Sequence, residues 1–181
     1  MAASFIIGAR HRMAALPELD VGFVPVTKDN VAQLKMINEV ALPVRYQEKF
    51  YKDIITTPEE FTHFAFWNGF SVGAVGCRLE TKEGVTKLYI MTLAVLPTYR
   101  NRAVGSKLVQ SELDACPEYT EATVSEVYLH VQTNNDLAIN FYKRFGFEIS
   151  RTIENYYQNI EPSACYVLSR KVEAAAPADA E

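Results

Sequence analysis

Cysteine is scarce in this 181-residue chain, and its three copies, Cys77, Cys116 and Cys165, lie far apart with no C-x-x-C pair. An odd, scattered set makes neither a disulfide nor a zinc framework and points to free thiols in a reducing compartment. Histidine is equally scarce: His11, His63 and His130 lack metal-ligand spacing, so no metal is expected. Positive charge is in deficit. With 18 Lys and Arg against 22 Asp and Glu the net charge is −4, which leaves no footprint for nucleic acid or an anionic membrane. No apolar run approaches the roughly 18–20 residues that cross a bilayer. What is present is globular: 49 % of residues are hydrophobic and 12 % aromatic, enough for one domain to bury a core.

The ends read differently from the body. Residues 1–20, with Arg10 and Arg12 near the start, resemble an organelle presequence only faintly and read as a flexible extension. Residues 173–181 are a low-complexity tail expected to be disordered. The domain is expected over 21–172.

Along that domain Phe23–Val26 reads as a strand. Thr27 then caps a helix with Val31, Leu34, Ile37 and Val40 or Ala41 on one stripe. A break at Leu42-Pro43-Val44 precedes a second short helix near Glu48–Ile55. Phe61–Trp67 and Phe70–Glu80 flank Asn68-Gly69, a hairpin signal because a type I′ turn needs positive φ at both positions. Gly73 and Gly76 inside the second strand imply a bulge or a close neighbour. Lys87–Leu96 is the central strand, on which alternation places Tyr89, Met91 and Leu93 on one face. Val124–Thr133 is another strand, with Tyr128 and His130 on one face. Asn134 or Asn135 caps a helix over Asp136–Phe145 that Gly146 ends. Phe147–Thr152 and Ala164–Lys171 close an α/β fold.

The chain is organised around Lys87–Cys116. Pro97 stops the central strand; Arg100, Asn101, Arg102, Ala103, Val104, Gly105 and Ser106 form a small, basic loop; a helix follows with Val104, Leu108, Val109, Leu113 and Cys116 on one face. Free N–H groups of a first helical turn, small residues and two arginines suit a phosphorylated ligand. The loop resembles the Arg/Gln-x-x-Gly-x-Gly/Ala loop with which GNAT acetyltransferases grip the diphosphate of acetyl-CoA. Ala103 departs from it, standing where that family usually has its first glycine. Asn135-x-x-Ala138-x-x-Phe141-Tyr142-x-x-x-Gly146-Phe147 resembles the family's second CoA-contacting helix. That resemblance implies Asn135 and Tyr142 at the cofactor, the tyrosine near the thioester sulfur. The segments LPVRYQEKFYKD, LYIMTL, YLHVQ, FYKRFGFEI and NYYQNIEP further resemble the catalytic subunits of NatE-type N-terminal acetyltransferases. The fold so implied is a single GNAT-type domain, its mixed central sheet splayed at the acetyl-CoA site and flanked by helices.

Acetyl transfer from a thioester to an amine needs a deprotonated amine, a polarised carbonyl and a stabilised thiolate. An α-amine with a pKa of about 8 asks only for a base near neutrality. If the two central strands are neighbours, Tyr89 and His130 converge. The resemblance assigns both to catalysis, with His130 taking the amine proton, through a water, and Tyr89 orienting that water or the amine. Leu93, Ala94 and Val95 are expected to offer backbone N–H groups to the acetyl carbonyl and pantetheine. Leu42, Pro43, Val44, Tyr46, Met91, Tyr156, Tyr157 and Ile160 form an expected apolar pocket suited to a hydrophobic N-terminal residue. The resemblance implies peptides that retain methionine before a hydrophobic residue, association with the NatA complex and through it the ribosome, and a cytoplasmic or also nuclear location.

Plainer readings stand beside these. Tyr142 and His130 could be core residues, and Tyr156 and Tyr157 could simply cover the core. Ala103 could mark a catalytically weak subunit that serves as a binding module, and the fold would also suit acetylation of a lysine or small amine.

Overall fold

The structure is a computed structural model, and it describes residues 16–158 and 160–173. Most of the expected extension, through residue 15, and the tail from residue 174 lie outside the described residues. Packing begins earlier than residue 21. Leu19 is 2 % exposed and belongs to the main core, because its chain is tied by hydrogen bonds to the small, basic loop.

Seven strands form one mixed sheet: β1 (Gly22–Pro25), β2 (Thr62–Trp67), β3 (Phe70–Lys82), β4 (Val85–Val95), β5 (Val124–Gln132), β6 (Glu148–Ile153) and β7 (Cys165–Lys171). Their order is β1-β2-β3-β4-β5-β7-β6. The first four are antiparallel neighbours, while β4 and β5 run parallel. The parallel pair needs a crossover, which helix α3 (Val104–Glu118) supplies. Helices α1 (Val31–Ala41) and α2 (Glu48–Ile54) precede the β2–β3 hairpin, and α4 (Asp136–Lys143) follows β5. Asn68 and Gly69 turn that hairpin at φ 48° and 81°, as the type I′ geometry demands.

The sheet separates two apolar layers. On one face Val104, Leu108, Val109, Leu113 and Cys116 of α3, all buried, pack with Ala138 and Phe141 of α4 against Leu88, Ile90 and Leu93. On the other, Leu34, Ile37, Phe50 and Ile54 of α1 and α2 cover Phe64, Tyr89, Met91 and Ala94. Of the two residues expected to end the α1 stripe, Ala41 packs against this layer and Val40 is 66 % exposed.

Strict alternation along β4 fails at one point. Gly76 pairs with Thr92 and Cys77 with Ile90, so Met91 is an extra residue, a β-bulge. The bulge advances the side-chain period by one. Tyr89 and Met91 therefore face α1 and α2, whereas Leu93 faces α3, contrary to the shared face expected for the three. Gly73 is required here: a Cβ would stand 2.8 Å from the Ala94 carbonyl.

Candidate active site

The β4–β5 ladder is short. Pairing covers Thr86–Tyr89 against Val124–Tyr128 and stops, although β4 continues to Val95 and β5 to Gln132. Beyond that point β4 is bonded only to β3, and β5 only to β7. The strands part as a fork, and the inner edge of Leu93, Ala94 and Val95 faces the gap. Alternate backbone N–H groups there point away from β3 and have no second ladder to join, so they are available to a carbonyl entering the fork.

Tyr89 is the last paired residue of β4, and His130 lies two residues past its partner Tyr128. The Tyr89 hydroxyl stands 3.0 Å from His130 Nδ1. Aromatic rings fix both groups: Tyr89 stacks on Tyr128 at 4.8 Å, and Tyr156 stacks on His130 at 4.7 Å. Tyr128 in turn donates to Glu80, which pairs with Arg78, and the Arg78 guanidinium lies over the Tyr89 ring. Burial raises the Glu80 carboxyl, but the Tyr128 hydroxyl and Arg78 outweigh it and hold Glu80 below the ordinary carboxylate range. This brace was not singled out in the sequence, since Glu80 and Arg78 stand where a strand surface would ordinarily carry charges.

Electrostatics divide the roles. Burial, with Tyr156 beside it, drives the Tyr89 phenol far above its usual range, so Tyr89 remains a neutral hydrogen-bonding group. Burial first, then Arg151, lower His130 to about 4, against an opposing pull from Glu80. Its imidazole is neutral at physiological pH and a weaker base than an ordinary histidine. If Nδ1 donates to the Tyr89 oxygen, Nε2 carries the lone pair and can accept a proton; the other tautomer would make Nε2 a donor.

A cleft of about 300 Å³ opens at the start of α3, lined by Val95, Tyr99, Arg100, Asn101, Ala103–Ser106, Phe141 and Arg144. Ala103 takes the left-handed conformation at φ 61°, the geometry a glycine would adopt without cost. The departure at 103 therefore preserves the loop's shape. Gly105 is informative in the opposite sense: a Cβ there would meet protein atoms only at 3.6 Å or beyond. The fold itself does not require glycine at 105, and the bare backbone there leaves room for a ligand in the cleft.

Several expected residues are placed differently. Arg100 lines the cleft while donating to the carbonyls of Val95 and Ala41, whereas Arg102, outside the cleft lining, donates to that of Pro17. Asn135 accepts from Ala138 N as the α4 cap, the role expected of Asn134 or Asn135. Tyr142 is fully buried beside Phe141 and Phe147, and α4 presents Phe141 and Arg144 to the cleft instead. Their i, i+3 spacing was a legible signal for a shared helical face. Arg144 is the cation best placed for an anionic ligand.

The expected pocket residues do gather. Leu42, Tyr46 and Met91 pack with Tyr89 and Tyr128, while Val44, Tyr156 and Ile160 pack about Tyr157. Pro43 is exposed between them. The Tyr157 hydroxyl is buried and has no hydrogen-bond partner among the described residues. Among the described residues no group of three or more His, Cys, Asp or Glu could hold a metal. No helix among them is long and apolar enough to cross a membrane.

Known proteins share this arrangement. Residues 31–147 match the model of the Acetyltransferase (GNAT) family. N-alpha-acetyltransferase 50 of Danio rerio is 43 % identical over 149 residues, 82 % of this chain and 87 % of the relative. The probable N-acetyltransferase san of Drosophila melanogaster is 41 % identical over 84 % of this chain and 81 % of its own. Arabidopsis thaliana Naa50, solved in complex with the bisubstrate analogue CoA-Ac-MVNAL, superposes with a TM-score of 0.75 at 52 % identity, covering 83 % of this chain and 97 % of that one. The chain belongs to the acetyltransferase (GNAT) family, as one of its N-terminal acetyltransferases that draw acetyl from acetyl-CoA.

Proposed function

We propose that the chain acetylates the α-amine of polypeptides that retain an initiator methionine followed by a hydrophobic residue. The observation that carries this reading is the apolar packing of Leu42, Tyr46 and Met91 in the cluster that holds Tyr89, beside that of Val44 and Ile160 in the cluster of Tyr156, whose ring stacks on His130. A methionine thioether fits such a surface. The buried Tyr157 hydroxyl would gain a partner from a peptide backbone group. The Arabidopsis relative binds an analogue whose peptide begins Met-Val, which supports the same preference.

The transfer follows from the fork. Acetyl-CoA enters from the α3 side, with its diphosphate on the N–H groups of the Ala103–Ser106 loop and its thioester carbonyl on the free β4 edge. The amine enters from the opposite mouth. A histidine titrating near 4 is too weak to strip an ammonium with a pKa of about 8, so the amine must arrive neutral. As its nitrogen bonds to the carbonyl carbon that nitrogen becomes strongly acidic, and His130 Nε2 takes the proton directly or through a water. The tetrahedral carbon then re-forms its carbonyl and expels CoA thiolate, which is protonated as the imidazole returns to neutral.

Acetylation of a peptide library with mass-spectrometric location of the acetyl group tests the preference. Modification of Met-Leu and Met-Val peptides at the α-amine supports it; modification of lysine side chains, or of Ser- and Ala-initiated peptides at equal rates, would refute it. Association with the NatA complex, and through it the ribosome in the cytoplasm, rests on the NatE-type resemblance. Co-purification of NatA subunits with the tagged chain from cytosol is the check.

A further inference from the structure

We propose that Pro17–Leu19 is a strap that holds the co-substrate loop in its binding conformation, offsetting the alanine at 103. This rests on the reading that Ala103–Ser106 cradles acetyl-CoA.

The strap engages the loop on both sides of Ala103. Leu19 N donates to the Arg102 carbonyl at 3.1 Å, which fixes the peptide entering Ala103. Lys107 Nζ donates to the Leu19 carbonyl at 2.7 Å, and Lys107 N closes the first helical bond on the Ala103 carbonyl at 2.9 Å. Arg102 Nε donates to the Pro17 carbonyl at 3.0 Å while its guanidinium lies over Trp67. The Leu19 side chain is buried in the main core, so the strap is anchored at its own end.

An L-residue with a Cβ is strained in the left-handed region, and glycine is not. Two such residues sit in this loop, Asn101 at φ 60° and Ala103 at φ 61°. Asparagine tolerates that region and alanine does not favour it. Were the Arg102–Ala103 peptide unheld, Ala103 would relax toward ordinary φ and swing the N–H groups of Val104 and Gly105 off the cleft. A ligand binds only the competent fraction, so its apparent affinity falls by that fraction. Leu19, Lys107 and Arg102 thus act as positioning residues for acetyl-CoA without touching it at the reacting end.

A double-mutant cycle on the full chain tests this, with CoA binding by calorimetry and exchange of the Val104 and Gly105 amides as readouts. Leu19→Ala should weaken CoA about tenfold when residue 103 is alanine, matching the left-handed penalty, and less than about twofold in the Ala103→Gly background. KM for acetyl-CoA should follow, with kcat at saturation unchanged. Should Leu19→Ala fold poorly, Lys107→Met replaces it: loss of its charge acts equally in both backgrounds, so only the difference between them counts. Equal weakening in both backgrounds, or none in either, overturns the strap. No heat from the unaltered protein would overturn the cofactor reading itself, and the strap with it.

Discussion

Burial keeps His130 neutral down to about pH 4, and two measurable consequences follow. In kcat/KM the acid limb should come from the substrate amine near pH 8, without an imidazole inflection between 6 and 7. An inflection there that vanished in His130→Gln would show an ordinary histidine. For stability the sign runs the same way. The unfolded histidine gains a proton below about 6.5 and the folded one only near 4. The stability it contributes is complete above 6.5 and is lost as pH falls through that window. Tyr157 gives a sharper separation of roles. Its hydroxyl is buried without a partner among the described residues, so Tyr157→Phe should leave thermal stability unchanged or raise it by about 1 kcal/mol. Peptide KM should still rise, while KM for acetyl-CoA stays put. A stable variant with unaltered peptide KM would remove Tyr157 from substrate binding. The sequence pointed to Tyr89 and His130 through resemblance and alternation, but it gave no sign of the acidity that burial imposes. That acidity depends on burial in the folded site and on Arg151 arriving from a distant segment.

At the scale of elements, the fork depends on how β4 is held by β3. The Met91 bulge and the close approach at Gly73 set that relationship. Gly73→Ala forces a methyl within 2.8 Å of the Ala94 carbonyl. We expect a loss of roughly 1–3 kcal/mol in chemical denaturation and weaker CoA binding, since β4 carries the carbonyl-binding edge. On the other side of the sheet, His63 of β2 meets Glu112 of α3 at 2.9 Å, with Cys77 Sγ also directed at the carboxylate. Burial raises Glu112 and the His63 contact opposes that shift. Removing one partner strands the other: His63→Ala should cost about 3–5 kcal/mol, and the paired His63→Leu, Glu112→Leu exchange far less. Thermal melts of the two variants decide it, and a double exchange that costs as much as His63→Ala would contradict a coupled pair. Strand and helix positions were legible because their apolar periods are regular, as on α3. The bulge was not, because one extra residue leaves no mark on composition, and so Leu93 was assigned to the wrong face.

Across the whole molecule, helices on two faces of the sheet bring two mouths to one gap. The parallel β4–β5 pairing is enforced by the α3 crossover, and the same helix start that completes the crossover lines the cleft proposed for acetyl-CoA. The α/β architecture was readable in the sequence because strand and helix periods are local patterns, while the role given to the Arg100–Ser106 loop rests on resemblance. The contact of Val44 from the α1–α2 loop with the Tyr157 cluster of the β6–β7 loop was readable only by resemblance, since more than a hundred residues of chain intervene. The most direct test of transfer at the fork is single-turnover acetylation of a Met-Val peptide by His130→Ala, with CoA affinity measured on the same protein. We expect the rate to fall by about 10²–10⁴ while CoA binding is unchanged. A rate equal to that of the unaltered protein would contradict transfer through the Tyr89–His130 fork.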